Sequence, residues 1–286
     1  MVHTRHIVPL AHRPPLVLGQ SALIMGILNV TPDSFSDGGA HNAVQAALVH
    51  ARLMLAQGAD IIDIGGESTR PGSEPVGTQE ELDRVIPVIE AIRDAGIDAP
   101  ISIDTMKPLV AHQALEAGAD IINDVNGLQG APEMAEIAAV MGVPVIAMHW
   151  DRQWAGPTDP LPAMTAYFNQ TLSIAAKAGI DPSHIVLDPG FGFTKTLNQN
   201  YSILRQLDDL ARTFPGQPLL VGTSRKSMIG KLLDNKPGER LAGTIATTIQ
   251  GYERGGHIFR VHDVAPNRDA LRVAEATLYG PPDERS

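Results

Sequence analysis

Short apolar runs alternate with amphipathic stretches along almost the whole chain. Leu23, Ile24, Met25, Ile27 and Leu28 form a near-continuous apolar run, as expected of a strand covered on both faces of a parallel sheet. Val44, Ala47, Leu48, Ala51 and Leu55 then recur at helical spacing and stop at Gly58, which predicts a helix over 43–58. The pair repeats. Apolar runs at 59–64, 101–103, 121–122, 143–148, 185–187, 219–221 and 257–261 are followed by helical patterns at 79–95, 108–117, 132–141, 167–178, 201–212, 241–252 and 268–278. Such alternation implies parallel strands joined by helical crossovers. Eight units in roughly 250 residues fit a single-domain (β/α)₈ TIM barrel better than a doubly wound sheet. The expected organisation is an N-terminal arm over 1–21, one barrel over 22–280 and a tail over 281–286.

The apolar runs end, one after another, on polar residues: Asn29, Asp63, Asp104, Asn123, His149, Asp188, Lys226 and His262. Catalytic groups of such barrels stand at the carboxyl ends of the strands. One or two polar ends would be ordinary strand caps, but a full set points to a site. The loop after the first run, with Asn29, Pro32, Asp33, Ser34, Ser36, Asp37, Gly38 and Gly39, reads either as an ordinary turn-rich connection or as oxygen ligands for a hard cation. A second polar loop runs from Gly65 to Gly72.

Composition narrows the partners. Charged residues make up 19% of the chain and the formal net charge is −10, which argues against nucleic acid or an anionic membrane. The absence of cysteine removes disulfides, thiolate metal sites and a cysteine nucleophile. No apolar run reaches the length of a membrane span, and the arm lacks the apolar core of a secretory signal, so a cytoplasmic protein is expected. His3 and His6 lie on that arm, which is read as a frayed terminus and not as a metal site.

Asp104, Asn123 and Asp188 would converge on one side of the barrel mouth. Three readings fit them: a cradle for a planar heterocycle bearing N–H donors, a divalent-metal site, or carboxylates paired with arginine. Lys226, Arg260 and His262 close the barrel on the last two strands, where barrel enzymes often hold phosphate. Lys226 also admits a Schiff-base role, but Ser224, Arg225 and Ser227 around it suit an anion better. Gly190–Thr196 comes near a Walker loop but fails, because Thr194 stands where the glycine before lysine belongs. Trp150 and Trp154 sit on a Pro- and Gly-containing loop without an evident partner.

Longer strings add a resemblance. Gly26–Gly39 (GILNVTPDSFSDGG), Asp63–Gly72 (DIGGESTRPG), Ser102–Thr105 (SIDT), Asp188–Phe193 (DPGFGF), Ser224–Ser227 (SRKS) and Arg260–Asp263 (RVHD) together resemble dihydropteroate synthase, in order and over residues 22–278. The resemblance implies a (β/α)₈ barrel of folate biosynthesis that joins p-aminobenzoate to 6-hydroxymethyl-7,8-dihydropterin diphosphate. It implies Mg²⁺ as cofactor, the two small molecules as partners, a homodimer, and sensitivity to sulfonamides. It implies that Asp104, Asn123, Met148, Asp188 and Lys226 hold the pterin, and that Arg260, Val261 and His262, with Thr69, hold the diphosphate. Asn29 would contact Mg²⁺. Ser68, Thr69, Arg70, Pro71, Phe193 and Ser227 would surround p-aminobenzoate, and Asp104, Lys226, Arg260 and His262 would carry the catalysis. The chain departs from the family pattern at Trp150–Arg152 and at Thr194, both on loops.

A pterin-binding methyltransferase would share the Asp and Asn cradle but would not need the diphosphate cluster or the two polar loops. A non-catalytic pterin-binding relative would not need Arg70, Lys226, Arg260 and His262.

Overall fold

A computed structural model of the chain describes residues 3–31, 39–67, 75–152 and 159–281. The arm comes first, as two short antiparallel strands, β1 (His6–Val8) and β2 (Leu16–Leu18). The eight parallel strands follow: β3 (Leu23–Asn29), β4 (Ile61–Gly65), β5 (Ile101–Asp104), β6 (Ile121–Asp124), β7 (Val145–Met148), β8 (Ile185–Asp188), β9 (Leu220–Val221) and β10 (Ile258–Val261). Neighbours in sequence are neighbours in space from β3 to β8, and β10 joins β3 to β9. A parallel bridge between Leu187 and Leu219 closes the ring, with the Leu187 N–H on the Pro218 carbonyl at 3.0 Å.

The side-chain period of two along each strand decides what lies inside. Met25, Ile61, Ile121, Ile146, Val186, Leu220 and Ile258 point into the barrel and form its lowest layer. The residues between them, such as Ile24, Ile62, Ile122, Leu187 and Phe259, point outward and pack under the helices. Two residues further along the inward rows stand Asp63, Asn123, Met148, Asp188 and Arg260, one apolar layer above the floor. The strands read as continuous apolar runs because both faces are buried, and the polar positions break in only at the upper end.

The helices are α1 (Gly39–Ala56), α2 (Thr78–Asp94), α3 (Pro108–Glu116), α4 (Pro132–Met141), α5 (Leu161–Ala178), α6 (Leu197–Arg205), α7 (Leu207–Thr213), α8 (Ser227–Leu233), α9 (Leu241–Glu253) and α10 (Val264–Tyr279). Four of them, α5 to α8, depart most from the periodicity-based expectation. The single helix expected over 201–212 is two, because the chain steps out of helical geometry at Gln206 (φ −102°, ψ 18°). The first of the two also begins earlier, at a capping box formed by Thr196 and Gln199. Helix α5 starts six residues before its expected first turn, with proline in the opening turn where its missing N–H costs nothing. Helix α8 is too short for its periodicity to register.

The arm is not frayed, contrary to the sequence-based expectation. Val8, Leu10, Leu16 and Leu18 close the barrel from below and share one core with its lowest layer. Arg13 fastens the arm to Asp98 and to Asp120. His3 lies with Nε2 2.8 Å from the Tyr252 carbonyl and Nδ1 2.5 Å from the Tyr279 hydroxyl. Three-residue strands are too short to show alternation, so this plug was not legible as structure. It predicts that Leu18→Ala, at a fully buried position, costs about 2–5 kcal/mol of stability. Urea denaturation of the two proteins measures this, and a loss well below that range would mean that the arm is dispensable to the fold.

Candidate active site

Arg260 is the hub of the site. It points inward from β10; its Nε donates to Asp63 Oδ2 at 2.6 Å and its Nη2 to Asp104 Oδ2 at 2.6 Å. Asn123, across the barrel on β6, donates its Nδ2 to Asp63 Oδ1 at 3.2 Å. One guanidinium thus spans two carboxylates from β4 and β5, and the nearer amide completes Asp63. Asp63 itself is fully buried, so it supports Arg260 and Asn123 from beneath.

A second group stands on the β8–β9 side. The Gly190 N–H donates to Asp188 Oδ1 at 2.7 Å, which fixes the carboxylate's plane. The Lys226 ammonium donates to the Phe191 carbonyl and lies 4.7 Å from the centre of the Phe193 ring. Gly192, at φ +83°, is the one residue type this approach admits without strain, since a Cβ there would stand 3.0 Å from Lys226 Cδ.

Electrostatics follow from burial and from the count of charges. Three carboxylates (Asp63, Asp104, Asp188) face two cations (Arg260, Lys226), so the fully ionised set holds one negative charge in excess. Burial pushes the Asp104 carboxyl well above the usual range; Arg260 opposes this, and Asp63 and Glu81 add to it. Burial also raises Asp188, opposed by Lys226 and the Gly190 N–H. Lys226 is drawn down to about 8 by burial, against the pull of Asp188. Such a pocket favours a ligand that presents N–H donors to its floor or that gains positive charge during reaction.

The other expected residues fall into several groups. Met148 ends β7 beside Asp188 in register and is almost fully buried. His262 Nδ1 lies 3.0 Å from Ser224 Oγ, which also accepts the His262 N–H at 3.2 Å. Ser227 opens α8 on the exposed side of Lys226. Asn29 ends β3 next to Gly65 of β4. Ser68, Thr69, Arg70 and Pro71, like Asp33 and Trp154, lie outside the described residues.

Some expectations are corrected. Of the three readings of Asp104, Asn123 and Asp188, pairing with arginine is realised for Asp104. Val261 points outward into the core beneath the helices, so its side chain is not part of the anion site. His149 also leaves the mouth: it is buried, its ring centre lies 4.6 Å from that of Tyr167, and burial draws its pKa down to about 3. Arg225 is held by both oxygens of Asp263, at 2.6 and 2.9 Å, and does not join Lys226 as an anion ligand. Trp150 does have partners, the Phe193 ring at 5.3 Å and the Arg152 guanidinium at 4.4 Å. Asp63 was legible as a polar strand end, but its pairing with Arg260 needs the register of β4 against β10.

Fold and site together define a barrel of the pterin binding enzyme family, whose pattern matches residues 25–262. The dihydropteroate synthase of Bacillus subtilis is 46% identical over 279 residues, covering 96% of both chains. Among solved structures, dihydropteroate synthase from Clostridium difficile, determined in the presence of pteroic acid, superposes with a TM-score of 0.87 at 47% identity, over 92% of this chain and 98% of that one. The Xanthomonas albilineans dihydropteroate synthase with 4-aminobenzoic acid gives 0.89 at 42% identity, over 97% and 100%. The chain belongs to the dihydropteroate synthase family.

The raised Asp104 carboxyl has a consequence for stability. The native state holds a proton that the unfolded chain has already released, so stability falls as pH rises from the unfolded pKa through the folded one. Asp104→Asn has no such proton. Relative to wild type, the variant should gain more than about 1 kcal/mol between pH 5.5 and 8, less than one pKa unit of linkage. Urea titrations at the two pH values test this, and a pH-independent difference would contradict the assignment.

Proposed function

We propose that this chain is the enzyme that joins 6-hydroxymethyl-7,8-dihydropterin diphosphate to p-aminobenzoate, giving 7,8-dihydropteroate and diphosphate in folate biosynthesis. The reaction transfers a pterin-methyl group. The observation that carries this reading is the inward cradle of Asp104, Asn123, Asp188 and Lys226 around Arg260, in a barrel that aligns over nearly its full length with structures determined in the presence of pteroic acid and with 4-aminobenzoic acid.

In this reading the pterin lies over the cradle with its amino and ring N–H groups toward Asp188 and Asn123, and Met148 covers its face. Lys226 meets the ring oxygen. His262 and the remaining Nη1 of Arg260 face the diphosphate, with Thr69 beside them. Phe193, Ser227 and the loop carrying Ser68, Arg70 and Pro71 form the p-aminobenzoate side. As the bond to diphosphate breaks, positive charge develops on the pterin, and the carboxylates beneath it stabilise that charge. The arylamine is a weak nucleophile, and it needs no strong base if the cation forms first. The displacement is therefore dissociative in this account.

Mg²⁺ fits as a partner of the substrate and not as a resident of an all-protein cage. Among the described residues no three His, Asp or Glu side chains gather to hold a metal. Asn29 offers one amide oxygen at the end of β3, and Mg²⁺ is commonly held by one or two protein groups with substrate phosphates and water. When bound, it neutralises charge on the departing diphosphate. A cytoplasmic homodimer completes the proposal; among the described residues no helix is long and apolar enough to cross a membrane.

The direct test is formation of dihydropteroate from the two substrates with Mg²⁺; no product under conditions that support the Bacillus subtilis enzyme would overturn the proposal. Asp188→Asn sharpens it. The substitution sets a donor against the pterin's donors, and a mismatched buried pair should lower pterin affinity by about a hundredfold or more. Calorimetry showing affinity within threefold of wild type would remove Asp188 from the pterin site.

A further inference from the structure

The loop after β8 contains a buried lysine for which the proposed reaction has no use. Lys195 is 7% exposed, and no carboxylate is within ion-pair distance of it among the described residues. Its ammonium donates to three backbone carbonyls: Gly190 at 2.8 Å, His149 at 3.2 Å and Phe193 at 3.3 Å. An ammonium has three N–H donors and no acceptor, so all three donors are matched. The acceptors belong to two different loops. His149 follows Met148 at the end of β7, while Gly190 and Phe193 belong to the loop after β8.

The packing leaves no slack around this point. A Cβ on Gly190 would stand 2.2 Å from the His149 carbonyl oxygen and 3.2 Å from Lys195 Nζ. Three carbonyl dipoles therefore converge on one small volume, and the ammonium offsets their mutual repulsion. The same loop faces the site with its other groups: the Gly190 N–H on Asp188, the Phe191 carbonyl on Lys226, and the Phe193 ring beside Lys226. Asn200 braces it from outside, accepting the Gly192 N–H at 2.6 Å and donating to the Lys195 carbonyl at 3.1 Å. Gly190 is held close to β8 by its N–H on Asp188, and its carbonyl accepts from Lys195 and, at 3.3 Å, from the Phe193 N–H. Phe193 lies furthest from the strand; its carbonyl accepts from Lys195 and from the Thr194 hydroxyl, which also reaches the Asp151 carbonyl of the loop after β7 at 2.9 Å, so that Lys195 adds the one cationic tie among these contacts.

We propose that Lys195 is a positioning residue: by binding the His149, Gly190 and Phe193 carbonyls it locks the loops after β7 and β8 together and so places the Phe193 wall of the p-aminobenzoate site. This rests on the functional reading above, in which Phe193 borders p-aminobenzoate and Asp188 the pterin. Burial draws the Lys195 ammonium down to about 7, with Asp188 and Asp151 favouring the charged form and Lys226 opposing it. The neutral amine has two N–H groups for three carbonyls, so the lock is complete only in the charged form.

The split between substrates gives the test. Lys195→Met keeps most of the volume and removes every donor. It should raise KM for p-aminobenzoate on the order of tenfold while leaving KM for the pterin diphosphate within threefold. Because the natural chain has no cysteine, Lys195→Cys carries a single thiol that can be alkylated in denaturant before refolding. Alkylation with 2-bromoethylamine rebuilds a lysine-like ammonium; alkylation with 1-bromopropane gives the same length without nitrogen. The aminoethyl protein should recover p-aminobenzoate KM to within threefold of wild type, and the propyl protein should behave like Lys195→Met. Unchanged KM for p-aminobenzoate in Lys195→Met, or equal rises in both KM values, would overturn the proposal. So would a Lys195→Met or propyl protein that does not fold while the aminoethyl protein does, since the ammonium would then serve the fold. Wild-type enzyme that makes no dihydropteroate would instead defeat the functional reading, independently of every Lys195 variant.

Discussion

The site depends on one guanidinium shared between two carboxylates. Without Arg260, Asp63 and Asp104 would face each other inside a closed barrel. Breaking one side of a buried ion pair typically costs about 3–5 kcal/mol because the partner charge is left uncompensated. The geometry explains why the arginine is on β10. Strands β4 and β5 lie on the far side of β3, and only a long side chain reaches across to both. Asn123 then needs an acceptor, and Asp63 Oδ1 is the one at hand. Arginine, two aspartates and an asparagine on four strands thus form one connected unit, and no member is positioned alone.

The rest of the fold makes this unit possible. Polar groups in a barrel interior need a dry, filled layer beneath them, or water would enter and screen their interactions. The N-terminal arm supplies the last part of that layer, with Val8, Leu10, Leu16 and Leu18 closing the bottom of the barrel. Above the unit, the loop after β8 brings backbone groups to Asp188 and Lys226. A stable floor and a carbonyl-lined wall hold three carboxyl groups and two cations in place, an arrangement on which the proposed reaction relies.

Much of this was legible in the sequence. The strand–helix alternation is strong because parallel strands buried on both faces read as apolar runs, and helices with one buried face read at period 3.6. The polar strand ends stood out against those runs, and six of the eight, Asn29, Asp63, Asp104, Asn123, Asp188 and His262, do end inward rows or extend them. What was not legible depends on three-dimensional register. His149 and Val261 fall on the outward phase of their strands, which a run of apolar letters does not reveal. Arg225 pairs with Asp263 between the loops that precede α8 and α10, and among the described residues Lys195 donates to backbone alone, which leaves no trace in side-chain pattern. The arm's strands are too short to carry a period.

The family resemblance cast Arg260 as an anchor for diphosphate, whereas the structure ties two of its three nitrogens to Asp63 and Asp104. Binding of two ligands to Arg260→Ala separates the roles most directly: the pterin with its diphosphate, and the same pterin without it, each measured by calorimetry. If Arg260 holds Asp63 and Asp104 in place, both affinities fall by at least about tenfold, roughly 1.4 kcal/mol. A loss confined to the diphosphate ligand, with the bare pterin bound as tightly as by wild type, would contradict the account.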